Sequence, residues 1–216
     1  MTLAGKISVS THYTRSINVE RDQSQLDVVK SYVPTSRALR TLQRIVDAFS
    51  DDQHPRAWSL IGPYGSGKSA FGIYVRGLLA PADSDLGKAA RNSLRSVSPA
   101  LATAFEQQAQ ETEGYLPVMV SGSPEPLSQR LVAAMSAAAY LRWGEKPGPK
   151  PAIVEKLEEA SKQSSIPASV VIDLFDELVS KLERQKGVIR GGVILVIDEL
   201  GKFLEYEAHH YGANDI

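Results

Sequence analysis

The chain has 216 residues, 43% of them hydrophobic and 23% charged, so it is long enough to bury a sizeable core in one α/β domain with or without a small extension. Lys and Arg number 24 against 25 Asp and Glu; the resulting net charge of -1 gives no whole-chain field toward nucleic acid or membrane, though a local basic face is compatible with it. The absence of cysteine excludes disulfides and thiolate metal sites, and with no signal-like leader and no apolar run of membrane-spanning length the sequence reads as a cytoplasmic protein with no membrane association.

Residues 1–33 alternate weakly between apolar and polar and carry Tyr13 and Arg15, which predicts a β-rich or irregular N-terminal arm, set apart from a core over 34–216. Contact of Tyr13 or Arg15 with an adenine or a neighbouring subunit is one reading, and a surface arm is the other. Pro34-Thr35-Ser36 opens a helix whose stripe is Leu39, Leu42, Ile45, Val46 and Phe49, ended by the polar run 50–53. Ala57-Trp58-Ser59-Leu60-Ile61 then reads as a short apolar strand.

The stretch that follows organises the rest: Gly62-Pro63-Tyr64-Gly65-Ser66-Gly67-Lys68-Ser69 fits G-x-x-x-x-G-K-[ST] at every position and runs into a helix from Ser69 through Ala70, Phe71, Val75 and Leu78. Glycines let the backbone form a concave nest whose N–H groups face phosphate oxygens, and the helix adds the positive end of its dipole. Lys68 is a long point charge suited to the β- and γ-phosphates, and the Ser69 hydroxyl is a hard oxygen ligand suited to Mg2+. A glycine-rich turn that matches by chance is the competing account; the strand and helix expected on either side argue against it.

Residues 82–113 are polar and alanine-rich, with a helix expected from Pro99 to Glu113. Tyr115 to Ser121 reads as the second strand, and Gly122-Ser123-Pro124-Glu125 as a turn with Ser123 as N-cap of a helix burying Leu127, Leu131, Met135 and Ala138. The Pro/Gly-rich run 144–151 reads as a loop between helices. A short helix (Ile153, Val154, Leu157, Ala160) and a longer one (Val171, Leu174, Phe175, Leu178, Leu182) follow, the latter ending on Lys181, Arg184 and Lys186, which offset its dipole.

Gly192 to Glu199 places five apolar residues before two carboxylates. A run without alternation is what a strand covered on both faces of a parallel sheet requires, and an acid pair at its carboxyl end lies where open α/β sheets bind ligands. Asp198 is the expected Mg2+ ligand opposite Ser69, and Glu199 the residue that orients and deprotonates the water attacking a γ-phosphate, with Lys68 as the second catalytic group. A helix cap or surface acid pair is the alternative for Asp198-Glu199 taken alone. Leu200 to Tyr206 reads as the start of a helix, and His209 and His210 as an exposed helix end in preference to a weak metal site.

Together the window Trp58 to Phe71 and the window Ile197 to Tyr206 resemble P-loop NTPases of the additional-strand, catalytic-glutamate branch, which includes AAA+ proteins, and more loosely the N-terminal ATPase core of large bacterial AAA-type proteins of phage-defence and restriction loci such as BREX-like systems. The resemblance implies an α/β fold of three layers with a mostly parallel sheet and a nucleotide held by Gly62, Pro63, Tyr64, Gly65, Ser66, Gly67, Lys68, Ser69 and Ala70. It also implies Mg-ATP hydrolysis coupled to conformational change, protein partners or a homo-oligomer, and work on DNA. That branch inserts a strand, later in the chain, between the loop strand and the Asp-Glu strand. No such strand follows Glu199 here, so the expectation is an N-terminal piece of a longer ATPase; a partner chain that completes the sheet, or neighbouring motif strands, are the alternatives. By the same resemblance Ser121 or Ser123 is a candidate for the polar residue that restrains the glutamate; on chemistry alone, with no motif around them, Arg130, Arg142 and Arg190 are candidate fingers or sensors. A nucleotide-gated binding module with little hydrolysis, and a kinase, are the competing functions.

Overall fold

The computed structural model of the chain describes residues 16–50, 53–144, 147–183 and 191–210. These form nine α-helices and two strands: α1 (Leu26–Ser31), α2 (Ser36–Ser50), α3 (Lys68–Leu78), α4 (Asp85–Val97), α5 (Pro99–Glu111), β1 (Leu116–Ser121), α6 (Leu127–Ala139), α7 (Ala152–Ser161), α8 (Ala168–Glu183), β2 (Val193–Asp198) and α9 (Leu200–His210), with a π-helical turn at Tyr140–Gly144. The result is a mostly helical α/β structure with a two-stranded parallel sheet. Its register runs from Leu116 opposite Val193 to Ser121 opposite Asp198.

Alternation along the strands divides the core in two. Leu116, Val118 and Val120 of β1, with Val193 and Ile197 of β2, pack with Met135, Leu157, Leu178 and Phe203 from α6, α7, α8 and α9. Met119, Ile194 and Val196 face the other way, toward Phe71, Tyr74 and Val75 of α3, behind which stand Leu42, Leu94 and Phe105 of α2, α4 and α5. Helices therefore cover both faces of the sheet.

α4 was not legible as a helix, yet its signals are local: the Ser84 hydroxyl accepts from the Gly87 amide as an N-cap, and Leu86, Ala90 and Leu94 recur at helical spacing on the buried side. Arg91, only 3% exposed, lies among them and donates to the carbonyls of Leu78, Ala80, Pro81 and Ala82. Its cation thus meets the negative end of α3, which accounts for a charge on an otherwise apolar face.

Several expectations are corrected. Residues 57–61 do not form a strand: they carry no regular secondary structure, and Trp58, Leu60 and Ile61 are exposed. Residues 16–33 are neither β-rich nor an arm on the surface; they make a turn and α1, with Val19 and Val29 fully buried in the first core cluster. β2 is not sealed on both faces along its whole length, since Leu195 is 38% exposed. Its apolar run has β1 on one edge and no strand on the other among the described residues. Ser123 does not cap α6. Its hydroxyl bonds the Glu125 carboxylate, and the Leu127 amide is met instead by Glu207 of α9 at 3.3 Å. Tyr13, Arg15, Arg184, Lys186 and Arg190 lie outside the described residues.

Candidate functional site

The loop 62–67 owes its shape to glycine. Gly65 and Gly67 adopt φ of 77° and 83°, the left-handed region that costs a side chain energy, and Gly67 is the N-cap from which α3 starts. The first helical bond of α3 runs from the Phe71 amide to the Gly67 carbonyl, so the amides of Lys68, Ser69 and Ala70 have no partner within the helix. Lys68 curls back over the loop, its Nζ 2.9 Å from the Gly62 carbonyl, 2.8 Å from that of Pro63 and 3.4 Å from the Ser66 hydroxyl. Every residue from 53 to 67 is exposed, Tyr64 among them at 89%. An anion entering the nest meets three orphan amides and an ammonium held only by exposed oxygens.

α3 is aimed by its other end. The Tyr115 amide, just before β1, donates to the Leu79 carbonyl at 2.9 Å, which pins the C-terminus of α3 to the amino end of the sheet. Further up the helix, Gly72 lies so close to β2 that a Cβ would sit 3.1 Å from the Val196 side chain. The helix runs antiparallel to the strands, and its first turn with Lys68 and Ser69 points toward their carboxyl ends. Asp198 ends β2 there.

At that end the backbone is tightly drawn. Glu199 has φ 55°, the one non-glycine residue in the left-handed region among those described. Asp198 Oδ1 accepts from the Glu199 amide at 3.1 Å, and the Gly122 amide donates to the Asp198 carbonyl at 2.8 Å. Gly122 has no room for a Cβ, which would collide with the Glu199 carbonyl. The Glu199 carboxylate is half-exposed and held by Lys202 at 2.6 Å, and this pairing raises the pKa of the Lys202 ammonium. As a set, the Ser69 hydroxyl and the Asp198 carboxylate are hard oxygen donors of the kind Mg2+ takes, and the Ser69 hydroxyl makes no hydrogen bond among the described residues.

The two candidate arginines among the described residues are already engaged. Arg130 pairs with Glu20 and approaches Glu125, and Arg142 pairs with Glu113 at 2.6 Å. Ser121 stands in register with Asp198. His210 stacks on Tyr206 with ring centroids 4.1 Å apart, on an exposed helix end. No cluster of three or more potential metal ligands of the His/Cys/Asp/Glu type occurs among the described residues, and no helix among them is long and apolar enough to cross a membrane.

Sequence reasoning missed Glu20. It lies a hundred residues from the strand end it touches, and no local pattern surrounds it that would have marked it. Comparison with known proteins adds no name to this geometry: no protein-family model matches the chain, and neither a curated protein nor a solved structure matches it significantly.

Proposed function

We propose that the chain binds Mg-ATP as a P-loop ATPase of the AAA type and takes part in its hydrolysis, as motor or switch in a larger assembly. The observation that supports this reading best is the aim of α3: the helix carrying Lys68 and Ser69 starts at the sheet end where β2 delivers Asp198 and Glu199. Two motifs far apart in sequence are thereby directed at one end of one sheet, as phosphoryl transfer needs, since its catalysis is mostly positioning and charge stabilisation.

In this reading the loop amides and Lys68 hold the phosphates, Lys68 leaving its carbonyl partners to do so, and Ser69 and Asp198 would hold Mg2+. When bound, the metal neutralises charge on the phosphate oxygens. Glu199 takes the proton of the attacking water, which requires its carboxylate to turn from Lys202. The three-layer P-loop architecture and the role in phage-defence assemblies belong to this proposal through the motif resemblance; neutral net charge gives DNA contact no support of its own.

Thermal unfolding with and without Mg-ATP tests it. Ligand at ~100 times its Kd should add about 2.7 kcal/mol, and Lys68→Ala should abolish the gain. A well-folded wild type with no shift refutes assembly of the phosphate site in this chain. Glu199→Gln should keep the shift and stop turnover in an active preparation; unaffected turnover removes Glu199 from its assigned role.

A second reading rests on a different observation. Trp58, Leu60 and Ile61 stand exposed just before the loop, and one edge of β2 is unpaired among the described residues. These are surfaces for another chain segment, so nucleotide would gate partner binding with little hydrolysis. Partner retention that is the same with and without a non-hydrolysable ATP analogue counts against gating.

A further inference from the structure

We propose that Glu20 is a positioning residue for the sheet end that carries Asp198 and Glu199, acting through the Ser121 amide. What that sheet end does rests on the Mg-nucleotide reading above; the contact itself does not.

The direction of the amides makes the argument. Leu116 N donates to Gly192 O and Gly122 N to Asp198 O, so the even-numbered amides of β1 face β2. The Ser121 amide, one residue before Gly122, points to the opposite edge, where no strand lies among the described residues. Left unmet, such a donor costs free energy and loosens the last rung of the ladder. Glu20 Oε1 accepts it at 2.6 Å, a charge-assisted bond, while Oε2 of the same carboxylate pairs with Arg130 of α6. Glu20 thereby closes the outer edge of β1 at the rung paired with Asp198.

The turn that presents Glu20 is built to hold one conformation. The Asn18 side-chain oxygen accepts the amides of Glu20 and Arg21, both at 3.0 Å, and Asp22 accepts the Asn18 amide at 2.9 Å. Asp22 is 1% exposed and takes Arg21 and Gln25 as well, and Val19 beside it is fully buried. From α3, Arg76 reaches back to the Gln23 carbonyl at 2.6 Å. One turn therefore braces both the helix that starts with Lys68 and the strand that ends at Ser121. The first surface it gives the site is a fixed carboxylate, and the chain of contacts runs from Glu20 to Ser121, across the register to Asp198, and through Gly122 to the Glu199 backbone.

Glu20→Ala and Glu20→Gln separate positioning from general stability. Amide exchange in the nucleotide-free protein should be about tenfold faster at Ser121, Gly122 and Glu199 in Glu20→Ala, the loss of one hydrogen bond's worth of protection. Affinity for Mg-ATP should fall about tenfold, as loss of a residue that orients a metal ligand does, while affinity for ATP in EDTA stays within about twofold. Glu20→Gln, which keeps an oxygen for the Ser121 amide, should recover most of both.

Unchanged exchange overturns the clamp. Equal loss with and without Mg2+ reduces Glu20 to a stabilising contact and overturns the positioning role, and Glu20→Gln as impaired as Glu20→Ala overturns the route through Ser121. If Glu20→Ala fails to fold, Arg130→Met releases the second oxygen only and should leave exchange at Ser121 near wild type; fast exchange there refutes the proposal. A wild type without affinity for Mg-ATP defeats the nucleotide reading, and amide exchange then decides the clamp by itself.

Discussion

The two flanks of the sheet are built in opposite ways. On the β1 side the strand's end is tied down: Glu20 takes the Ser121 amide, Arg130 takes Glu20, and Asp22 and Val19 behind them are buried. On the β2 side Leu195 is partly exposed, and the segment from 53 to 67, the phosphate-loop motif included, has no buried residue. Packing is concentrated along β1 and the Asp198 end of β2, whereas the loop 62–67 stands where little packing restrains it. Regions that must admit a ligand or partner are drawn from the low-stability end of a fold, and the proposed nucleotide loop has that character.

Substitutions can break that contrast. The largest effect is expected from the helical bed behind α3: Phe105 is fully buried and meets Phe49 edge-on with centroids 5.6 Å apart. Phe105→Ala should cost about 3–5 kcal/mol, read as the drop in denaturation midpoint. Arg91→Met comes next. Four carbonyls lose their donor, at least some of them away from water, and a loss of about 3 kcal/mol is expected in chemical denaturation.

Gly122→Ala should cost about 1–3 kcal/mol, because the new methyl must displace the Glu199 carbonyl. Its mark would be a change in amide exchange at Glu199 beyond any global loosening, and an unchanged Glu199 would show that the sheet end is more pliant than its contacts suggest.

Alkaline pH attacks the frame selectively. Burial pushes the phenols of Tyr74 and Tyr32 up from 10.0 to about 12, their rings 4.6 Å apart, and Tyr74 donates to the Ala90 carbonyl. A raised folded-state pKa means the folded chain keeps protons that the unfolded chain gives up. The stability they contribute is present below pH 10 and lost as pH rises from 10 through about 12. Tyrosinate absorbance and far-ultraviolet circular dichroism followed together should show ionisation of these two rings coinciding with unfolding; early ionisation without unfolding would mean the frame opens locally.

The smallest effect belongs to the open flank. Ile61 is 89% exposed, and Ile61→Ser should change stability by less than about 0.5 kcal/mol. A larger loss would show that the segment before the loop is covered in solution, and would sharpen the case for another segment seated on it.

Much of the frame could be read from the chain itself. Helix stripes such as Leu39–Leu42–Ile45–Val46–Phe49 are periodic, whereas the run Val193 to Ile197 is unbroken and is marked as a strand by its short length and its β-branched residues. The glycine loop at 62–69 was equally legible, since its glycines, Lys68 and Ser69 are adjacent in sequence and its turn is local. α4 escaped because polar residues dominate its composition, although Ser84 and Leu86–Ala90–Leu94 carried the signal. Residues 57–61 misled for a physical reason: an apolar run is permission to form a strand, and a strand exists only where a neighbour supplies its hydrogen bonds.

What the sequence determined by itself is therefore whatever depends on neighbours in the chain: the helix stripes, the left-handed turns at Gly65 and Gly67, the lysine that folds back over that loop, and the acids that end an apolar run. The tertiary structure alone decided the aim of α3, fixed by Leu79 on Tyr115, the shielding of Arg91, and the clamp of Glu20 on Ser121. Each of these joins groups separated by 9 to 101 residues, and the free energy that selects such contacts comes from burial and hydrogen-bond satisfaction in the folded chain, which no window of sequence contains.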